Sequence, residues 1–179
     1  MLRVDSPDMP DTIKQLSGRI MRIARERGMT IATVESCTAG SLAHLLSQAE
    51  GASDTLHGGF IVYTKDNKTA AVGVSKELLA THTAVGAEIA QAMAKGALAR
   101  CPADIAIAIT GVAGPEPDED GNPVGLVYVA AAARDGGSRR RAMSSASAEG
   151  TRFAVRPWAR RWRWPKRCSP PSCTDEQFL

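Results

Sequence analysis

One serine, two lysines and a tyrosine have the types and spacing of a hydrolytic site. Ser36 lies in Glu35-Ser36-Cys37-Thr38-Ala39-Gly40, which ends a β-branched run and opens a helical one. A hydroxyl on such a strand-to-helix turn is expected to be exposed. The amide groups that follow it, those of Cys37, Thr38, Ala39 and Gly40, then offer N–H donors able to hold an oxyanion or a phosphate. The competing reading is that Ser36 or Thr38 caps the helix. A serine nucleophile also needs a base, because its hydroxyl is protonated at neutral pH. None of the histidines is an obvious one: His44 falls inside a helix, and His57 and His82 fall in loops. Lysine can serve where burial or a neighbouring cation lowers its pKa toward neutrality. Lys65 and Lys68 both follow the next strand, just after Tyr63. Spacing alone separates neither from a solvated surface lysine, and Tyr63 could hydrogen-bond either partner or simply pack.

Such residues need a scaffold that gathers strand endings. Residues 12–27 place Leu16, Ile20, Ile23 and Ala24 on one helical face, ending at Gly28. Residues 29–34 read as a strand, 42–48 as a helix, 51–59 as a loop and 60–63 as a second strand, with a polar stretch at 64–68. Helices are expected around 76–80 and over 87–100, and a strand buried on both faces at 105–109. A turn-rich acidic loop at 110–125 leads to a strand at 126–133, and Asp135-Gly136-Gly137 signals a hairpin returning through 139–145. Strands alternating with helices and closed by a hairpin predict an α/β fold, a three-layer α/β/α domain with a mixed sheet. Parallel strands with right-handed crossovers would bring Glu35-Ser36-Cys37-Thr38, the Tyr63–Lys68 stretch and Thr110-Gly111-Val112-Ala113-Gly114-Pro115 to one sheet edge. That edge is where open α/β sheets bind ligands.

Other chemistries fit less well. The glycine-bearing loop after residue 110 has neither the P-loop pattern nor the dinucleotide fingerprint. Glu116, Asp118, Glu119 and Asp120 do not have the spacing of a calcium loop. Cys37, Cys101, Cys168 and Cys173 match no zinc pattern and read as reduced thiols, so no metal is expected. No run of 18 apolar residues suggests a membrane span, and the first residues carry no apolar signal segment, so a cytoplasmic location is expected. The net charge of +3 hides a split. Residues 138–179 hold ten basic and three acidic side chains (+7), leaving 12 basic and 16 acidic (−4) for residues 1–137. An acidic body argues against binding a phosphate backbone, so no nucleic-acid partner is expected. All three Trp and four of the ten Pro lie at 157–179, a basic tail unlike the rest of the chain.

The segments Val34-Glu35-Ser36-Cys37-Thr38-Ala39-Gly40, Gly58-Gly59-Phe60-Ile61-Val62-Tyr63, Thr110-Gly111-Val112-Ala113-Gly114-Pro115 and Pro123-Val124-Gly125-Leu126-Val127-Tyr128 occur in this order. Together they resemble the signature segments of the CinA C-terminal domain family, competence/damage-inducible proteins, over residues 12–156. The resemblance implies nicotinamide mononucleotide deamidation to nicotinic acid mononucleotide and ammonia, a step of pyridine nucleotide recycling, by a Ser/Lys amidohydrolase. It puts the nucleophile on Ser36, selects Lys68 as the base, and gives Tyr63 an assisting role. Thr38, Ala39, Gly40, Thr110, Gly111 and Gly114 become candidate substrate-binding residues. No cofactor is implied, a small-molecule nucleotide is the expected partner, and a homodimer is expected. About a dozen residues precede the first helix, which fits a stand-alone form. The alternative is a non-catalytic nucleotide-binding module of the same fold. Several residues depart from the family pattern. Ala39 replaces a usual glycine, Thr64-Lys65 a usual Ser-Asn, Gly86 a serine and Asn122 a lysine, and the loop before Asn122 is unusually acidic. Lys65 would help depress the Lys68 pKa if both were desolvated, and the acidic loop would weaken phosphate binding if it met the substrate. Pro157 interrupts the last family-like helix. A shifted reading frame would explain the tail, and translation of the gene's other frames tests that idea.

Overall fold

The structure is a computed structural model that describes the backbone of residues 11–144 and the side chains of residues 13–137. The 157–179 tail and the family-like segment before it lie outside the described residues. Five strands form one sheet in the order β2-β1-β3-β4-β5. The central strand β1 (Ile31–Glu35) is parallel to both β2 (Leu56–Ile61) and β3 (Ile105–Gly111). The strands β4 (Leu126–Ala133) and β5 (Ser138–Ser144) then add antiparallel neighbours. The predicted mixed sheet and the common edge of three parallel strand endings are both present.

Every residue of β1 is buried, because helices cover both sheet faces. Ala32 and Val34 point into one core, built with Val62, Val72, Val74, Leu79 and the long helix α6 (Ala87–Arg100). Alternation sends Ile31, Thr33 and Glu35 to the other face, toward α1 (Asp11–Glu26) and α2 (Ser41–Ser47). The α6 interface is made largely of Ala90, Ala94, Ala97, Ala106, Ala108 and Ala132. Small side chains let helix and sheet backbones approach closely, which explains a core with so few aromatics. Arg134, in the β4–β5 turn, closes the far end of α6 by donating to the Leu98, Cys101 and Ala103 carbonyls.

Three of the sequence expectations need correction. The expected loop at 51–59 is instead a short helix, α3 (Ala52–Thr55), followed directly by β2. Gly58 and Gly59 look like turn residues, yet Gly59 sits mid-strand. A Cβ there would overlap the Thr33 hydroxyl, so glycine permits the close approach of β1 and β2. His57 accordingly lies in β2, and His82 ends a helix, α5 (Lys76–His82), rather than lying in a loop. The polar stretch after Tyr63 is the start of another helix, α4 (Lys65–Val72). The Thr64 hydroxyl accepts the Asn67 N–H at its start, and Gly73 takes a left-handed conformation (φ 68°) at its end.

Candidate active site

The site forms where β1, β2 and β3 end together. After Glu35 the chain turns through residues 36–40 into α2. The Ser36 N–H donates to the Ile109 carbonyl of β3 (3.0 Å), carrying the β1–β3 ladder one bond further, and Ser36 is buried at 6% exposure rather than open as its place on the turn suggested. The next strand, β2, delivers α4, and Lys68 lies one turn inside that helix, 1% exposed. Lys68 Nζ is 2.9 Å from Ser36 Oγ, 3.1 Å from the Val62 carbonyl and 3.3 Å from the Tyr63 carbonyl. These partners fix the amine in place, but all three are neutral. With no carboxylate to compensate, burial pulls the Lys68 pKa from 10.5 down to about 8, and the more distant Lys65 charge adds to the same direction.

Lys65 is in a different situation. Its Nζ pairs with Glu119 (2.7 Å) and Asp120 (2.9 Å), and these hydrogen bonds push its pKa up to about 12. The structure therefore separates the two lysines that spacing alone could not. Two departures from the family pattern also prove to be partners, since the extra lysine binds the extra acids. Asp118 is occupied as well, accepting from the Asn122 backbone N–H, the Asn122 side-chain amide and the Asp120 N–H. Burial acts to raise its pKa, but these hydrogen bonds outweigh that and hold it low.

The expected row of free amides is shorter than the sequence reading supposed. The Ala39 N–H donates to the Ser36 carbonyl and the Gly40 N–H to Glu35 Oε2, so neither is left for a ligand. Among the described residues, the N–H groups of Cys37 and Thr38 have no carbonyl partner. The buried Thr38 hydroxyl has no hydrogen-bond partner either. Neither Ser36 nor Thr38 caps α2: its N-cap is Gly40, with no side-chain cap. Tyr63 contributes its carbonyl to Lys68, while its side chain is 67% exposed. The Thr110 hydroxyl donates to the Ala84 carbonyl. Gly111 lies in β3 rather than in the loop, and a Cβ there would strike the Leu126 carbonyl and Val127 backbone, so its glycine serves strand packing. Gly114 is exposed, with φ 96°.

Ala39 has φ 48°, a left-handed conformation that L side chains resist. Ala39→Gly removes that resistance but gives the unfolded chain more freedom, leaving a net gain of about 0.5 kcal/mol. Thermal unfolding should show a melting point raised by roughly 1–3 °C.

The family model of the CinA C-terminal domain matches residues 13–160. This chain belongs to that family. Among CinA-domain relatives, the nicotinamide-nucleotide amidohydrolase PncC of Escherichia coli K12 is 36% identical over 153 residues, covering 85% of this chain and 93% of PncC. A CinA-like protein of Mycolicibacterium gilvum is 50% identical over 109 residues, 61% of this chain. The match spans only 26% of that longer relative. Solved structures agree. The competence/damage inducible protein CihA of Agrobacterium tumefaciens superposes with a TM-score of 0.73 at 39% identity, over 78% of this chain and 84% of that one. A CinA superfamily protein of Enterobacter cloacae gives 0.73 at 31% identity, over 82% and 86%.

The CinA-domain motifs pointed to Ser36 and Lys68, and the fold brings them into contact. Glu35 was missed as an actor. Its carboxylate, 0% exposed, accepts the N–H groups of Gly40, Leu42 and Ala43. The available signal was an acidic residue closing an otherwise apolar strand, where a charge is tolerated only with several donors around it.

Proposed function

We propose that this protein is an amidohydrolase that deamidates nicotinamide mononucleotide, using Ser36 as nucleophile and Lys68 as base. The observation that carries this reading is the buried contact of 2.9 Å between Lys68 Nζ and Ser36 Oγ, with no carboxylate to hold the lysine charged. Ser36 Oγ attacks the carboxamide carbon as its proton passes to the neutral Lys68 amine. The oxyanion that forms is stabilised by the N–H groups of Cys37 and Thr38, which no carbonyl occupies. Collapse breaks the C–N bond, and Lys68 returns the proton to the departing nitrogen, which leaves as ammonia. Water then attacks the acyl-enzyme, gives up a proton through Lys68, and releases the carboxylate product with Ser36 restored. The amidohydrolase PncC, similar along 85% of the chain, supports the substrate assignment. The unpaired thiols Cys37 and Cys101 suit a reducing cytoplasm.

Ammonia release from nicotinamide mononucleotide, with nicotinic acid mononucleotide as co-product, tests the reading. Only uncharged Lys68 can take the serine proton, so kcat should rise with pH, reach half its plateau near pH 8 and fall tenfold per unit well below that. A flat profile across pH 6–9 would remove Lys68 as the base. Tight binding of the nucleotide by folded protein without ammonia release would favour the non-catalytic module.

A further inference from the structure

The start of α2 is closed to external anions by the protein's own carboxylate. Glu35 Oε2 accepts from Gly40 (3.0 Å) and Leu42 (2.9 Å), and Oε1 accepts from Ala43 (2.8 Å). These N–H groups have no partner within the helix, and they meet a full negative charge at the positive end of its dipole. No cation is paired with Glu35 among the described residues, so the three charge-assisted hydrogen bonds are what allow a carboxylate to be wholly buried there. The residue is anchored at its backbone too, its carbonyl accepting the Val62 N–H (2.8 Å). Glu35 thus joins the end of the central strand to the first turn of α2, bridging the loop that carries Ser36.

That loop has few other restraints. Ser36 N–H bonds to Ile109, Ala39 N–H to Ser36, and Ser41 N–H to Thr38. The successive residues Ala39 (φ 48°) and Gly40 (φ 101°) are both left-handed, a conformation the Glu35 bond to Gly40 holds from the inside. Lys68 is fixed independently, by α4 and two carbonyls. The Ser36–Lys68 contact therefore depends on where the loop places the serine.

We propose that Glu35 is a positioning residue for catalysis: its buried carboxylate, filling the start of α2, sets the 36–40 loop so that Ser36 Oγ lies within reach of Lys68. The inference rests on Ser36 being the nucleophile. It also removes the start of α2 as the seat of the substrate phosphate.

Labelling by an alkyl fluorophosphonate reads the nucleophile without the natural substrate: a Ser36 Oγ–P bond forms, the P–F bond breaks, fluoride leaves and the serine proton goes to Lys68. Glu35→Gln keeps the size but offers one acceptor oxygen and an N–H₂ group to three donors. Labelling per folded molecule should slow by at least about tenfold, and kcat for nicotinamide mononucleotide should fall similarly with KM changed less than about threefold. The pH midpoint of labelling should stay where it is in wild type, since burial of Lys68 is untouched. Labelling within about twofold of wild type overturns the proposal, as does a loss accompanied by an upward midpoint shift, which would mean that the whole site has opened to water. Ala43→Pro provides a second variant, in the first turn of the helix where proline is tolerated, and deletes one donor to Glu35. It should slow labelling several-fold, and it decides the matter if Glu35→Gln shows no cooperative melting: a wild-type rate in Ala43→Pro then overturns the proposal. Wild type that labels at Ser36 but releases no ammonia sinks the substrate assignment alone, with Glu35 still judged by labelling. Wild type that neither labels nor releases ammonia sinks both.

Discussion

Lys68→Met is expected to lower ammonia release from nicotinamide mononucleotide by about 10³-fold, whereas Lys65→Met should leave kcat within about threefold of wild type. The contrast follows from what each ammonium touches. Lys68 is enclosed, meets only a hydroxyl and two carbonyls, and is drawn down to about 8, so about a tenth of it is free base at pH 7 and half at pH 8. Lys65, one turn earlier on the same helix and only half-buried, is paired with Glu119 and Asp120 and held charged up to about 12. A group that cannot lose its proton cannot accept one. Methionine fills the space of the lysine stem without restoring an amine, so a folded, inactive Lys68→Met protein isolates the chemistry. Arginine should not rescue, because its guanidinium stays protonated. Ser36→Ala should reduce ammonia release to background, and adding Lys68→Met to it should change nothing further, as expected of residues that act as a unit. Equal losses in the Lys65 and Lys68 variants would refute the division of roles.

The parts of this site that were legible in the sequence are those written in local patterns. The bounds of α6 and β4 follow directly from an alanine-rich helical stripe and an apolar run between turn signals. The ends of β1 and β3 were close for the same reason. The helix that carries Lys68 was not legible as one. Lys65-Asp66-Asn67-Lys68-Thr69 has no apolar stripe, because only Lys68 and Val72 of that helix are buried, and one of these is a lysine. Its evidence lay in the ends, Thr64 three residues before Asn67 and Gly73 after the last turn, and those signals are weaker than periodicity. The partnership of Lys65 with Asp120 spans 55 residues, and nothing local announces it. Glu35 belongs to the same class. Its three donors come from the next helix, so a charged residue within the family motif was visible while its task was not.

Gly96→Ala should destabilise the fold by about 3 kcal/mol, although Gly96 lies inside a helix, where alanine is ordinarily better by about 1 kcal/mol. The sign reverses because of α4. A Cβ on Gly96 would overlap the main-chain carbonyl oxygen of Val72, at the last residue of that helix. A flexible side chain could swing away, but a carbonyl cannot. Gly73 follows it in a left-handed turn, and the Val72 side chain is itself 0% exposed in the core. Relief therefore requires α4 to move off α6 as a body. Thermal unfolding should show a melting point lower by roughly 10 °C, and an unchanged or raised value would mean that the helices separate without strain. The same movement carries Lys68, which projects from α4 to the serine just past the end of β1. Well below the melting point, kcat should still fall by about tenfold or more, since small misplacements of reacting groups cost that much. Loss of stability with full kcat would show instead that Lys68 can follow the serine through its flexible stem. The glycine at a helix–helix crossing is thus tied to the catalytic contact by one rigid helix, and the two readouts, melting point and kcat, separate its packing role from its consequence for the base.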